Sequence, residues 1–393
     1  MSSNSSSSAP FLRSPSAGIL GAIACTTIFA LTFGLTYPLF AFVLEAQGWD
    51  EAAIGINAAT TPLGILLASP LYPRLAQRFG SWQVASLCLV MIAVLFIAMG
   101  LTRDYWTLMV LRFLLGVTET GVFIISETWI NQLAVARSRG RIVGLYATAL
   151  SGGFAAGPLI LSATGVEGFA PFAVAALLCG LSILVVLTIR KATPDVTHEK
   201  AASPWSFVRL APTLLVAITV FAFWDGALLS LFPLYGLDHG FEARFITFAL
   251  AVCVLGNTFL QIPIGWLADR TSRRGVMIAC ALIAGSGAIA LPASVAAPTV
   301  VHLALLFFWG AACGGLYTMA MAELGDRFSG AQLVAGNAAF AIAFGLGGMF
   351  GGPATGMAMN LTGTEGFSQT LSVIFFATAA YAWWRRRAGG RGG

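Results

Sequence analysis

Apolar positions dominate this chain in runs of about twenty residues or more, broken by short polar connections. The runs fall at 17–44, 52–72, 82–101, 105–127, 142–163, 168–190, 210–236, 245–267, 275–295, 299–322, 334–359 and 367–384. A helix needs about 20 mostly apolar residues to cross the hydrocarbon core of a bilayer, so the pattern predicts twelve transmembrane helices. The longest interruption, 191–209, contains Pro194, Asp195, Glu199, Lys200 and Pro204, the composition of a solvated connection. It divides the spans six and six. The expected organisation is a disordered Ser-rich tail at 1–16, a six-helix bundle at 17–190, a central loop at 191–209, a second bundle at 210–385 and a basic tail at 386–393.

Composition sharpens this picture by exclusion. Of 393 residues, 58% are apolar and only 9% charged, against roughly 45–50% and about 25% in soluble domains. Little chain remains for an appended nucleotide-binding, kinase or DNA-binding module, which needs roughly 100 residues of ordinary polarity. The first run is too long for the h-region of a cleaved signal peptide and reads as an uncleaved span. All six cysteines lie within apolar segments with no CxxC pair, and the three histidines, His198, His239 and His302, are dispersed. No cofactor and no metal are therefore expected, and no reaction of an enzyme.

Charge then sets the orientation. With both termini on one side, eighteen of the twenty-one basic residues fall on that side, Arg103 and Arg244 fall on the other, and Arg112 lies within a span. The positive-inside rule makes the rich side cytoplasmic, and a bacterial inner membrane is the expected location. The net charge of +5 is accounted for by anionic lipid headgroups, without nucleic acid. A monomer is the expected state.

The two halves repeat each other. Gly48-Trp49 matches Gly240-Phe241 and Leu75-Ala76-Gln77-Arg78 matches Leu267-Ala268-Asp269-Arg270, both at an offset of 192. Gly116 and Gly121 match Gly310 and Gly315 at 194, and Gly153, Gly157 and Pro158 match Gly348, Gly352 and Pro353 at 195. Four matches in order indicate duplication, which in a polytopic chain points to a two-bundle secondary transporter.

These residues resemble the major facilitator superfamily. Its loop between spans 2 and 3, Gly-x-x-x-Asp-Arg-x-x-Arg-Arg in outline, stands nearly complete as Gly265, Asp269, Arg270, Arg273 and Arg274. In the first half Pro73 replaces the Gly and Gln77 the Asp, with Arg78 kept. Arg112 and Gly116 keep the family's span-4 frame, and Gly153, Gly157 and Pro158 its span-5 motif. Glu127-Thr128-Trp129-Ile130-Asn131 followed by Arg139-Gly140-Arg141 is similar to a branch of bacterial inner-membrane members of largely unassigned substrate. The resemblance implies an all-α membrane fold of twelve helices in two pseudo-two-fold related bundles, and transport by alternating access. It also implies a gating role for the loop motif. Arg78, Glu127, Arg139, Arg141, Asp269, Arg270, Arg273, Arg274 and Glu323 are then expected to form a cytoplasmic latch, with ion pairs across the bundles and with Glu127 and Glu323 in similar places in the two halves. The alternative is solvated loop charge placed for topology.

Charges within spans are costly and so are functional candidates. Arg112 and Glu119 are seven residues apart, about 20° off one helical face, and Glu119 lies near mid-span. It is a candidate for proton coupling or substrate contact, and the alternative is a structural Arg–Glu link. Asp225, preceded by Trp224, sits at similar depth in the other half and is the second candidate, against a buried hydrogen-bonded Asp. Tyr37, Asn57, Trp224, Asn257, Gln261 and Tyr317 are candidate cavity-lining groups, although Asn and Gln also bind helices together. Gly153, Gly157, Gly348 and Gly352, with Pro158 and Pro353, are expected to allow close helix packing and kinks. Two acids and one Arg suit a neutral, zwitterionic or cationic amphipathic substrate better than an anion. The reading is proton-coupled export, with proton-coupled uptake of a metabolite as the alternative and a membrane enzyme or a transport-dead sensor more remote.

Overall fold

Gly48 has φ 80° and Gly240, 192 residues on, has φ 79°. Each follows a long helix and takes the left-handed conformation that glycine adopts without strain. The amide of Trp49 then bonds back to the carbonyl of Leu44 (3.2 Å), and the amide of Phe241 to that of Gly236 (3.0 Å). The first repeat seen in the sequence is thus a repeated helix stop.

A computed structural model describes residues 15–133, 139–190, 192, 207–328 and 330–389. Among the described residues there are fifteen helices and no strand. They are α1 (Pro15–Glu45), α2 (Glu51–Ala68), α3 (Tyr72–Phe79), α4 (Ser81–Leu101), α5 (Tyr105–Leu133), α6 (Arg139–Thr164), α7 (Ala170–Thr188) and α8 (Phe207–Leu210). The rest are α9 (Pro212–Asp238), α10 (Ala243–Phe259), α11 (Gln261–Arg270), α12 (Arg273–Val295), α13 (Thr299–Arg327), α14 (Gly330–Thr362) and α15 (Gly366–Gly389). Nearly all of the expected tail at 1–16, most of the 191–209 connection and residues 390–393 lie outside the described residues.

All twelve apolar runs fall in helices. Eleven spans have the length and hydropathy of a membrane crossing, α10 and α11 counting together as one. The twelfth, α15, has 24 residues, about 36 Å of helix. Its Ser368, Gln369 and Ser372 dilute the apolar run. Proline explains the interruptions. Pro70 and Pro73 separate α2 from α3, and Pro263 leaves the carbonyl of Phe259 without its i+4 donor at the α10–α11 break.

The exterior is apolar as well as the interior. On α4, Leu87, Val90, Met91, Val94, Ile97 and Leu101 are exposed, while Cys88, Leu89, Ile92, Phe96 and Met99 are buried. Exposed apolar side chains at helical spacing suit contact with lipid tails. Lipid removes most of the hydrophobic drive for helix association, leaving close van der Waals packing to hold helices together. Glycine supplies that closeness. A Cβ at Gly64 would land on the carbonyl oxygen of Phe113, and one at Gly256, offset by 192, on that of Phe307. Gly121 packs on Tyr72 and Cys88, while Gly315 packs on Cys280 and Ile264, again in repeat register.

The helices pack as two compact units. Among the described residues, one comprises 15–35, those of Gly64–Gly157, 167–190 and 192. The other comprises Thr36–Leu63, Pro158–Val166 and the C-terminal helices. In the first unit Gly153 and Gly157 of α6 approach the α1 backbone at Thr27–Leu31 and Gly34–Leu35. In the second, Gly347 and Gly351 of α14 do the same to α9 at Thr219 and Phe223. Gly348 and Gly352 instead face Pro62 and Gly55. The close-packing register is therefore 194, one residue from the 195 that the sequence match suggests.

Polar side chains cap the starts of three helices, Asp50 at α2, Asp104 at α5 and Ser272 at α12. Asp104 Oδ2 accepts from the amide and the hydroxyl of Thr107, both at 2.7 Å, at the head of α5. The Thr107 amide and hydroxyl hold the Asp104 carboxyl below the usual carboxylate range. A depressed folded-state value means that this stabilisation is present above the ordinary carboxylate range and lost as pH falls through it. Asp104→Ala is expected to lower the melting temperature slightly at neutral pH, with the gap from the parent closing in acid. Thermal unfolding at both pH values checks this.

Candidate functional site

In the first unit, α5 carries a line of charge through the membrane. Glu119 lies fourteen residues from the start of the helix, about 21 Å along it, and is 0% exposed, with Arg112 1% exposed. The Thr32 hydroxyl of α1 and the Arg112 guanidinium both act on the Glu119 carboxyl, although neither carboxyl oxygen reaches hydrogen-bond geometry. The Thr32 hydroxyl itself donates to the Phe29 carbonyl at 2.6 Å. Burial of a carboxyl is costly unless a polar or charged group compensates it.

Glu127 is exposed, two turns further along α5. It lies within electrostatic range of Tyr146 of α6, whose hydroxyl pairs with Ser126 at 3.0 Å. The side chains of Arg139 and Arg141 lie outside the described residues. At the packing offset of 194, Glu127 corresponds to Met321, not to Glu323. The first-half counterpart of Glu323 is Trp129, fully buried and donating its indole N–H to Ser81 at 3.0 Å. The expected symmetry of the two glutamates is therefore absent: one half places a neutral hydrogen bond where the other places an ion cluster.

That cluster lies in the second unit. Glu323 Oε1 accepts from Arg274 at 3.0 Å and from Arg327 at 3.1 Å. Arg273 meets Asp326 at 2.9 Å and Asp269 at 3.5 Å. Each of these pairs joins residues of the second half, although the sequence suggested pairs across bundles. Arg270 stacks on Trp266 at 3.6 Å and Arg78 lies 5.3 Å from the ring of Phe79. Asp326 was missed from the sequence, where its i,i+3 spacing from Glu323 was the available signal.

Asp225 of α9 is half-buried. The rings of Trp224 and Trp309 behind it are each 1% exposed and meet edge-on at 5.8 Å. Cys253 of α10 lies within electrostatic range of Asp225. Of the expected lining groups, Tyr37 and Asn57 are buried and Tyr317 is 37% exposed. Gln261 donates to Asn257 at 2.9 Å and to the Ala311 carbonyl at 3.3 Å, and accepts from Thr318 at 2.6 Å. Asn257 and Gln261 thus tie the α10–α11 break to α13. Among the described residues no His, Cys, Asp or Glu cluster could hold a metal ion.

The Major Facilitator Superfamily model matches residues 22–257 and 243–392. The chain belongs to this superfamily. Among curated relatives of this facilitator is the "Uncharacterized MFS-type transporter YfkF" of Bacillus subtilis, 24% identical over 86% of this chain and 87% of that protein. Another is the "Uncharacterized MFS-type transporter YcaD" of Escherichia fergusonii, 27% identical over 92% of each. In fold, the facilitator is similar to a bacterial homologue of the human lysosomal transporter Spinster (TM-score 0.75, 15% identity, 95% of each chain). It is also similar to a D-xylose-proton symporter (TM-score 0.75, 16% identity, 94% of this chain and 96% of that one). The fold class read from the sequence is borne out, and membrane transport is the activity the superfamily supports.

Proposed function

We propose that this facilitator is a secondary active transporter of the bacterial inner membrane, with both termini cytoplasmic. It exports a neutral, zwitterionic or cationic amphipathic compound in exchange for protons. The carrying observation is Glu119, fully buried at mid-span beside Arg112 and Thr32. A group in that position gains from changing partner between a proton and a ligand, and that exchange is what couples two fluxes. Asp225 offers a second such group at similar depth. The fold neighbours include a protein titled a D-xylose-proton symporter, which agrees with proton drive on this scaffold. The Glu323 cluster serves as the cytoplasmic latch, its pairs reorganising as the inner side opens.

Alternating access also requires the outer helix ends to part. Within the second unit, a Cβ at Gly55 of α2 would land on the carbonyl of Gly352 of α14. Gly55→Val is expected to cut transport at least about tenfold while the protein remains folded, because these ends can no longer close. Transport at parental rate in folded Gly55→Val would show that this contact does not take part in the cycle.

The test of the reading is uptake into inside-out vesicles containing the protein, energised by respiration. Export predicts substrate accumulation that a protonophore abolishes. Accumulation that survives the protonophore removes proton coupling, and accumulation only in right-side-out vesicles selects uptake.

A further inference from the structure

One turn from Asp225 on α9, the second unit assembles aromatic rings from three helices. Phe221, one turn before Asp225 on α9, has its ring centroid 5.2 Å from Tyr317 of α13 and 6.2 Å from Phe344 of α14. Trp224 lies 5.8 Å from Phe221 and rests on Trp309. The two tryptophans are closed off, whereas Tyr317 is 37% exposed and Phe344 and Asp225 are half-buried. The cluster is thus a sealed aromatic base with an exposed ring, and Asp225 stands one helical turn from its Phe221.

The repeat shows which part of this is special. Phe29 and Phe123 of the first unit stand at offsets of 192 and 194 from Phe221 and Tyr317, and they stack at 4.5 Å. The position matching Asp225 is Phe33, which packs on Phe29 at 5.2 Å and Phe154 at 6.1 Å. The aromatic pair is common to both halves, and the acid is added in one. A half-buried carboxylate one helical turn from such a cluster is unfavourable unless a cation or a proton joins it.

We propose that Phe221, Tyr317, Phe344 and Asp225 bind the head of an organic cation whose charge is alkylated or delocalised. Resting on the export reading above, this narrows the substrate class within it. Rings attract such a cation by their faces, and the single carboxyl balances its charge. A hydrated inorganic ion is excluded, since it requires several oxygen ligands in place of its water. The Asp225 carboxyl takes either the ligand's charge or a proton, so cation and proton compete for one group.

Equilibrium dialysis of the detergent-solubilised protein with tetraphenylphosphonium tests this, with neutral triphenylphosphine oxide as competitor. Expected are saturable binding, no competition by the neutral compound, and affinity at least about tenfold weaker in Tyr317→Leu and Asp225→Asn. Tyr317→Phe, which keeps the ring, should bind like the parent. Binding unchanged in folded Tyr317→Leu, or equal competition by triphenylphosphine oxide, overturns the proposal. Absence of phosphonium binding in a protein that moves protons with another compound through Asp225 removes the cation class and leaves the transport reading intact. Phosphonium binding that needs Tyr317 and Asp225, in a protein whose proton movement ignores Asp225, keeps the cation site and removes the coupling role of that acid.

Discussion

Gly256→Ala is expected to yield no folded protein. The added Cβ would coincide with the carbonyl oxygen of Phe307, a backbone atom held by its helix, so relief requires α10 and α13 to move apart. Those helices lack a hydrophobic force to hold them across a wider gap in lipid, and the Asn257–Gln261–Thr318 bonds one turn away would be pulled with them. Gly265→Ala is the control. It lies inside α11 with open space where its Cβ would stand, so alanine should raise stability there by about 1 kcal/mol through helix propensity. Size-exclusion profiles and thermal unfolding of the two variants check the contrast. A monodisperse Gly256→Ala protein melting near the parent would mean that the two helices do not pack as described.

Much of this packing was legible. Runs of apolar residues gave every span, because the bilayer sets a minimum length for each helix, and the Gly48–Gly240 match was visible, although nothing in the match itself showed a helix stop. The breaks at Pro70–Pro73 and Pro263 were less legible, since an apolar run continues through a kink without a change of composition. The register of Gly347 and Gly351 was missed because α14 contains glycines on adjacent positions, and matching by type alone chose the wrong neighbour. For the charged residues, the pattern suggests depth along a span but not direction. It puts Glu119 and Asp225 near the middle of their apolar runs. It did not show that Glu323 corresponds to Trp129, or that its partners come from its own half, because helix rotation decides those contacts. The rings one turn from Asp225 were hidden because phenylalanine is common throughout the chain, and only the repeat offset from Phe29 singles out Phe221.

Glu119→Gln is expected to abolish uphill transport while sparing exchange. Glutamine keeps the shape of the side chain beside Arg112 and Thr32 but can neither take up nor release a proton. A carrier altered in this way should still reorient with substrate bound, so substrate should equilibrate across the membrane at a rate within about threefold of the parent, while accumulation against a gradient falls by about 100-fold or more. Counterflow and accumulation in the same vesicles separate the two effects. Equal loss of both would assign Glu119 to structure or to substrate binding, and loss of neither would leave it a buried link to Arg112.

Protons are expected to move through these acids in exchange for the substrate. The most direct measurement is proton flux in proteoliposomes loaded with a pH dye, screened with pooled metabolites and cationic amphiphiles, for the parent, Glu119→Gln and Asp225→Asn. A compound is expected to drive proton movement in the parent, and each folded variant to lose it. Proton movement at parental rate in both variants would contradict the account and leave the two acids structural.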